Sequence, residues 1–111
     1  MTVTVVEREL RINGQAHLLA FPICDAFQLG PVILVMFDPD SDPKKFGQFQ
    51  NVIALDVEGN VVWEADLPTS NTGDRYYRVA SRDPLTLNST QSYDVILDPT
   101  SGRILDRRFT K

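Results

Sequence analysis

The stretch Val32-Ile33-Leu34-Val35-Met36-Phe37 is apolar at six consecutive positions. Side chains alternate between the two faces of a β-strand, so a strand built from this run shows apolar groups on both sides. Such a strand needs cover on both faces and belongs at the centre of a core. It is also far shorter than the roughly 20 apolar residues that cross a bilayer as a helix, so no membrane span is expected.

The rest of the chain reads as strand too. No segment longer than about 10 residues spaces its apolar positions at three and four; alternation and short β-branched runs broken by Gly, Pro, Asn and Asp dominate. Val6 to Ile12, Asn13-Gly14 and Gln15 to Phe21 form the clearest unit, a two-residue hairpin whose Asn-Gly accepts the positive φ angles of a type I′ turn. Pairing outward from that turn sets Ile12 against Gln15, Leu10 against His17, Arg8 against Leu19 and Val6 against Phe21. Glu7, Glu9 and Arg11 then share a face with Ala20, Leu18 and Ala16, and that face is expected to meet water. The segment 22–31 reads as a connection, a turn of helix or an irregular strand. Asp38 to Lys45 is a loop by composition. Further strands are expected near Phe49–Asp56, Asn60–Ala65, Arg75–Ser81, Ser92–Asp98 and Arg103–Phe109, which makes eight.

One pattern occurs twice. Val52-Ile53-Ala54-Leu55-Asp56, a turn with Gly59, then Val61-Val62-Trp63 is matched by Asp94-Val95-Ile96-Leu97-Asp98, a turn with Gly102, then Ile104-Leu105, with Asp106 where Trp63 stands. The spacing of these aspartates lies inside the repeat length of propeller blades. The motif resembles the blades of quinoprotein-type β-propellers over about 15 residues in each copy. The resemblance implies shape alone, with no quinone site. Propellers close a ring with about four to eight four-stranded blades, and eight strands make only two. Two blades must hide their apolar faces on each other. The expected fold is therefore all-β: two four-stranded antiparallel meander sheets packed face to face, a sandwich or flattened barrel with blade-like sheets. Residues 1–111 are expected to form a single domain, since a chain of 111 residues can bury one core. Val61, Trp63, Ala65 and Leu67, with Tyr93, Val95 and Leu97, are the expected core faces.

Charge narrows the function classes. Residues 1–73 carry four Lys/Arg against ten Asp/Glu, a net −6, and residues 74–111 carry seven against five, a net +2; together they give the chain's −4. An acidic chain is poorly suited to nucleic acid, because phosphate neutralisation by Lys and Arg supplies most of that affinity. A single cysteine excludes an internal disulfide. The start of the chain lacks the pattern of a secretion signal, so a cytoplasmic location is expected and the Asn88-Ser89-Thr90 glycosylation match carries no weight.

Catalytic groups are sparse. His17 and Cys24 are the single histidine and single thiol; a Cys–His pair can make an activated nucleophile, but a satisfied core histidine and a small buried thiol are the plainer expectation. Zinc needs more ligands than one of each. Asp38, Asp40 and Asp42 alternate like the start of a calcium loop, yet Pro43 and Phe49 stand where that loop has Gly and Glu. An acidic turn whose carboxylates cap backbone amides is expected, with no metal and no cofactor. Trp63, Tyr76, Tyr77 and Arg78 are residue types that anchor interfaces, and one of the adjacent tyrosines must leave the core.

These observations point to a small, acidic, non-enzymatic interaction protein, inhibitor-like or immunity-like, that meets a protein partner with a basic surface. The candidate contact residues are Trp63, Tyr76, Tyr77, Arg78, Asp38, Asp40 and Asp42. The alternative is a small-molecule-binding module with an apolar pocket between the two sheets, near Trp63 and the tyrosines.

Overall fold

The computed structural model describes residues 1–41, 49–71 and 73–110. Among them the chain forms eleven β-strands, one turn of 3-10 helix at Pro39–Ser41 and no α-helix. β1 (Val3–Val6), β2 (Glu9–Ile12) and β3 (Gln15–Leu18) make an N-terminal sheet of order β1-β2-β3. β4 (Ile23–Leu29), β5 (Val32–Phe37), β6 (Val52–Leu55) and β7 (Val61–Glu64) make a central sheet of order β4-β5-β6-β7. β8 (Tyr76–Arg82), β9 (Leu85–Ser89), β10 (Tyr93–Leu97) and β11 (Ile104–Phe109) make a C-terminal sheet of order β11-β10-β9-β8. All pairings are antiparallel.

The two four-stranded meanders packed face to face are thus present, and a third sheet lies on them. Every residue of β5 and β6 is buried. Val32, Leu34, Met36, Val52 and Ala54 point to one side, where they pack with Trp63 against Tyr76, Leu85, Leu87, Val95 and Leu97 of the C-terminal sheet. Ile33, Val35, Phe37, Ile53 and Leu55 point to the other and pack against Leu10 and Ile12 of the N-terminal sheet. The run at 32–37 therefore has its two covers, one sheet on each side. Each fully buried aliphatic side chain in these layers contributes about 1.5–3 kcal/mol relative to exposure, which is what holds three layers together without disulfides.

The strand count departs from the expected eight at three places. Val6 to Ile12 is not one strand: Glu7, with φ 55°, and Arg8 turn the chain so that Val6 pairs with Glu9 instead of Phe21. No glycine or asparagine marks that turn, so composition hides it. The inner part of the expected register holds, with Ile12 opposite Gln15 and Leu10 opposite His17 across Asn13-Gly14, both at positive φ. Segment 22–31 is the regular strand β4, kinked by a register shift between Ile23 and Asp25. The sequence pattern places no strand between Ser81 and Ser92, yet β9 forms there, with Leu85 and Leu87 alternating into the core.

One device joins the layers twice. The imidazole of His17 on β3 lies on Gly59 in the β6–β7 turn, and the indole of Trp63 on β7 lies on Gly102 in the β10–β11 turn. In each case the ring of a sheet's last strand rests on the last turn of the next sheet. A Cβ at either glycine would overlap the ring, and both glycines have positive φ, 90° and 73°. Asp56 and Asp98 close these turns: Asp56 Oδ1 accepts from the amides of Glu58 and Asn60, and Asp98 Oδ1 accepts from the amide and hydroxyl of Thr100. These hydrogen bonds hold both carboxyls below the usual carboxylate range.

Candidate binding surface

The N-terminal and C-terminal sheets each leave one face uncovered, and the C-terminal one concentrates polar chemistry. Cross-strand register aligns Arg78 on β8, Asn88 on β9, Asp94 on β10 and Arg108 on β11 in a single row across that face. Asn88 donates through its side-chain amide to Asp94 Oδ1. Arg108 Nε lies 3.3 Å from Asp106 Oδ2, an exposed pair worth little by itself. Among the described residues Arg78 makes no ion pair. A shallow groove of about 570 Å³ runs over this row, lined by Tyr77, Arg78, Asn88, Ser89, Thr90, Ser92, Tyr93, Asp94 and Thr110.

Tyr77 reaches the groove because β8 bulges. The register shifts between Tyr76, opposite Ser89, and Arg78, opposite Asn88, so Tyr77 is the extra residue. Strict alternation would place Tyr76 and Arg78 on one face. The bulge separates them, as bulges re-aim side chains: Tyr76 is buried, while Tyr77, 50% exposed, and Arg78 turn outward.

The groove's rim is held from beneath by Asp74, which is 1% exposed. Its carboxylate accepts from the hydroxyls of Thr69 (2.7 Å), Thr90 (3.1 Å) and Ser89 (3.3 Å) and from the amide of Gln91 (3.1 Å). A buried carboxylate with this many donors is satisfied, and it fixes the β9–β10 turn. Asn51, also buried, ties the sheets at this end: its amide donates to Phe37 O and Tyr76 O, and its Oδ1 accepts from Tyr76 N. Neither Asp74, Asn51, Asn88 nor Asp94 stood out in the sequence. A polar residue inside an expected strand, as Asn51 and Asp94 are, is the one signal that was there to read; Asn88 lies where no strand was expected.

The sequence candidates separate into three places. Trp63, 7% exposed, belongs to the layer between the central and C-terminal sheets, and its Nε1 donates to Pro99 O at 3.1 Å. Tyr76 is buried in the same layer, with its hydroxyl donating to Asp66 O at 2.7 Å; burial first, and then Asp66 and Asp74, push that hydroxyl's pKa upward. Only Tyr77 and Arg78 meet in the groove. Asp38 caps the 3-10 turn, its Oδ1 accepting from the amide of Asp40 at 2.9 Å, while Asp40 is exposed. Asp42 lies outside the described residues. No group of three or more His, Cys, Asp or Glu able to hold a metal occurs among the described residues.

His17 and Cys24 are not brought together. His17 rests on Gly59, near the Val32 end of β5, whereas Cys24 neighbours Asp25 and Asp38 at the opposite end. His17 Nε2 is buried with no hydrogen-bond partner among the described residues. Cys24 is exposed rather than buried. Partial burial, followed by Asp25 and Asp38, pushes its thiol upward, which lowers the thiolate fraction that nucleophilic chemistry needs.

The family comparison covers nearly the whole chain. A family profile described as Domain of unknown function (DUF7957) matches residues 1–109, and the chain belongs to that family. No curated protein and no solved structure matches the chain.

Proposed function

We propose that this member of the family is a non-catalytic interaction protein that binds a protein partner through the outer face of its C-terminal sheet, as an inhibitor or immunity protein does. One observation carries the reading: a bulge turns Tyr77 out of the core beside Arg78, over a floor where Asn88 and Asp94 already satisfy each other. Tyrosine and arginine are the side chains that most often anchor interfaces, and a pre-paired polar floor costs little to desolvate. The partner's surface is basic. Residues 1–73 carry the net −6, which steers a cationic partner toward the molecule, and Asp94 and Asp106 meet it on the docking face. Arg78 and Arg108, interleaved with those carboxylates, select register more than affinity.

The test starts with affinity capture from the source cells, using the unmodified chain beside a Tyr77→Ala, Arg78→Glu double variant. The partner retained by the first and lost by the second is then purified for kinetics. Tyr77→Ala should act mainly by raising the dissociation rate, while Asp38→Asn with Asp40→Asn should lower the association rate and flatten its salt dependence. A partner that binds the double variant as tightly as the unmodified chain, or a capture that shows no difference between the two, removes this reading.

A further inference from the structure

The central and C-terminal sheets part at the end where the β4–β5, β8–β9 and β10–β11 turns gather. The cleft between them has a volume of about 480 Å³. Its walls are apolar: Leu29, Pro31 and Val32 from the β4–β5 hairpin, Val62 from the edge strand β7, and Pro99 from the β10–β11 turn. Val62 is exposed with no strand beyond it, although its neighbour Trp63 is buried. One cation, the exposed Arg82, stands at the mouth. The guanidinium of Arg82 lies 4.1 Å from the centroid of the Phe27 ring, and Phe27 itself is buried. This cation–π contact uses none of its N–H donors, and among the described residues Arg82 makes no hydrogen bond or ion pair through its side chain. Asp83 lines the same cleft.

We infer that this cleft is a binding site for a small amphipathic monocarboxylate, with its apolar body between Leu29, Val32, Val62 and Pro99 and its carboxylate on Arg82. A mostly apolar cavity of a few hundred Å³ with one or two placed polar groups is the usual form of a small-molecule site. A planar guanidinium in contact with an aromatic face and with its N–H donors unused suits a carboxylate, which accepts two parallel N–H bonds. Asp83 disfavours a second negative charge on the ligand. The site is separate from the groove on the outer face, so it stands or falls independently of the protein-partner reading.

The molecule carries its own reporter, since its single tryptophan donates to Pro99 O in the cleft wall. Octanoate, octanol and octylamine are titrated while Trp63 emission is followed. Octanoate should bind about tenfold more tightly than octanol, the size of effect a charge-assisted hydrogen-bonded contact provides. Octylamine should bind more weakly than either. Arg82→Gln should abolish the octanoate advantage and leave octanol binding unchanged. Val62→Glu, which places a charge in the apolar wall at an exposed position, should weaken both. Equal binding of octanoate and octanol by the unmodified chain overturns the assignment. So does an octanoate advantage over octanol that survives Arg82→Gln, octanoate binding that Val62→Glu does not weaken, or the absence of any saturable change with octanoate at its solubility limit.

Discussion

The two interfaces between layers use one device with different rings. Between the central and C-terminal sheets, Trp63 covers Gly102 and its one polar atom is satisfied by Pro99 O. Between the N-terminal and central sheets, His17 covers Gly59 and leaves Nε2 buried without a partner among the described residues. The first interface also has the polar stitches, Asn51 to β8 and Asp66 Oδ2 accepting from Ile104 N at 3.0 Å. The second has a backbone bond, Ile23 N donating to Glu7 O at 2.8 Å, and otherwise relies on packing, with Phe21 edge-on to Phe37 and Phe49 at 5.4 and 4.9 Å between centroids. A ring on a glycine is therefore enough to align two sheets. How firmly they hold depends on what the ring's heteroatom finds.

Removing the better ring should cost most. Trp63→Ala is expected to lose about 3–5 kcal/mol in denaturant titration, the range for a large aromatic in a core. A loss below about 1 kcal/mol would mean that the indole carries little of the interface.

Blocking the glycines compares the two sides directly. Alanine at positive φ costs roughly 1–2 kcal/mol, and overpacking adds about 1–3 kcal/mol. Gly102→Ala should exceed Gly59→Ala, because the indole is pinned by its hydrogen bond to Pro99 and cannot swing aside. Equal losses would erase the proposed difference between the interfaces.

Repairing the weaker side should stabilise it. His17→Phe keeps a ring on Gly59 and removes the unpartnered nitrogen, whose burial costs about 1–3 kcal/mol. The melting temperature should rise. A fall would show that the imidazole nitrogen is partnered in solution.

Acid should act on both turns alike. Asp56 and Asp98 have folded-state pKa values below the usual one, so the stability they add is complete above about pH 4 and disappears as pH falls through the lower folded values. Melting curves from pH 5 to pH 2 should be flatter for Asp56→Asn and Asp98→Asn than for the unmodified chain. The smallest effect belongs to the acidic turn: Asp38→Asn and Asp40→Asn should each change stability by no more than about 0.5 kcal/mol. Added calcium should leave the melting temperature unmoved in either form. A calcium-dependent rise lost in the variants would make that turn a cation site, at the end of the β4–β5 pair that the Asp38 N to Pro22 O bond closes.

Local chemistry was enough to make the β class legible, because strand period, β-branched runs and the Asn13-Gly14, Asp56–Gly59 and Asp98–Gly102 turns act over a few residues. The apolar run at 32–37 also declared its own position, since a strand with two apolar faces has only one place to go. What covers the second face was decided by tertiary structure. Leu10 and Ile12 read equally well as half of a larger sheet, and only the Glu7-Arg8 turn, made of residues with no turn signature, cuts them into a third layer. The groove was half legible. Tyr77 and Arg78 are anchor types, but the bulge that aims them outward is a mismatch in length between β8 and β9, a property of two strands that neither sequence carries alone. Asn88 and Asp94 meet by register, and Phe27 and Arg82 meet across two sheets. Contacts between residues far apart in the chain depend on the whole packing arrangement, whereas a turn depends on its own few residues.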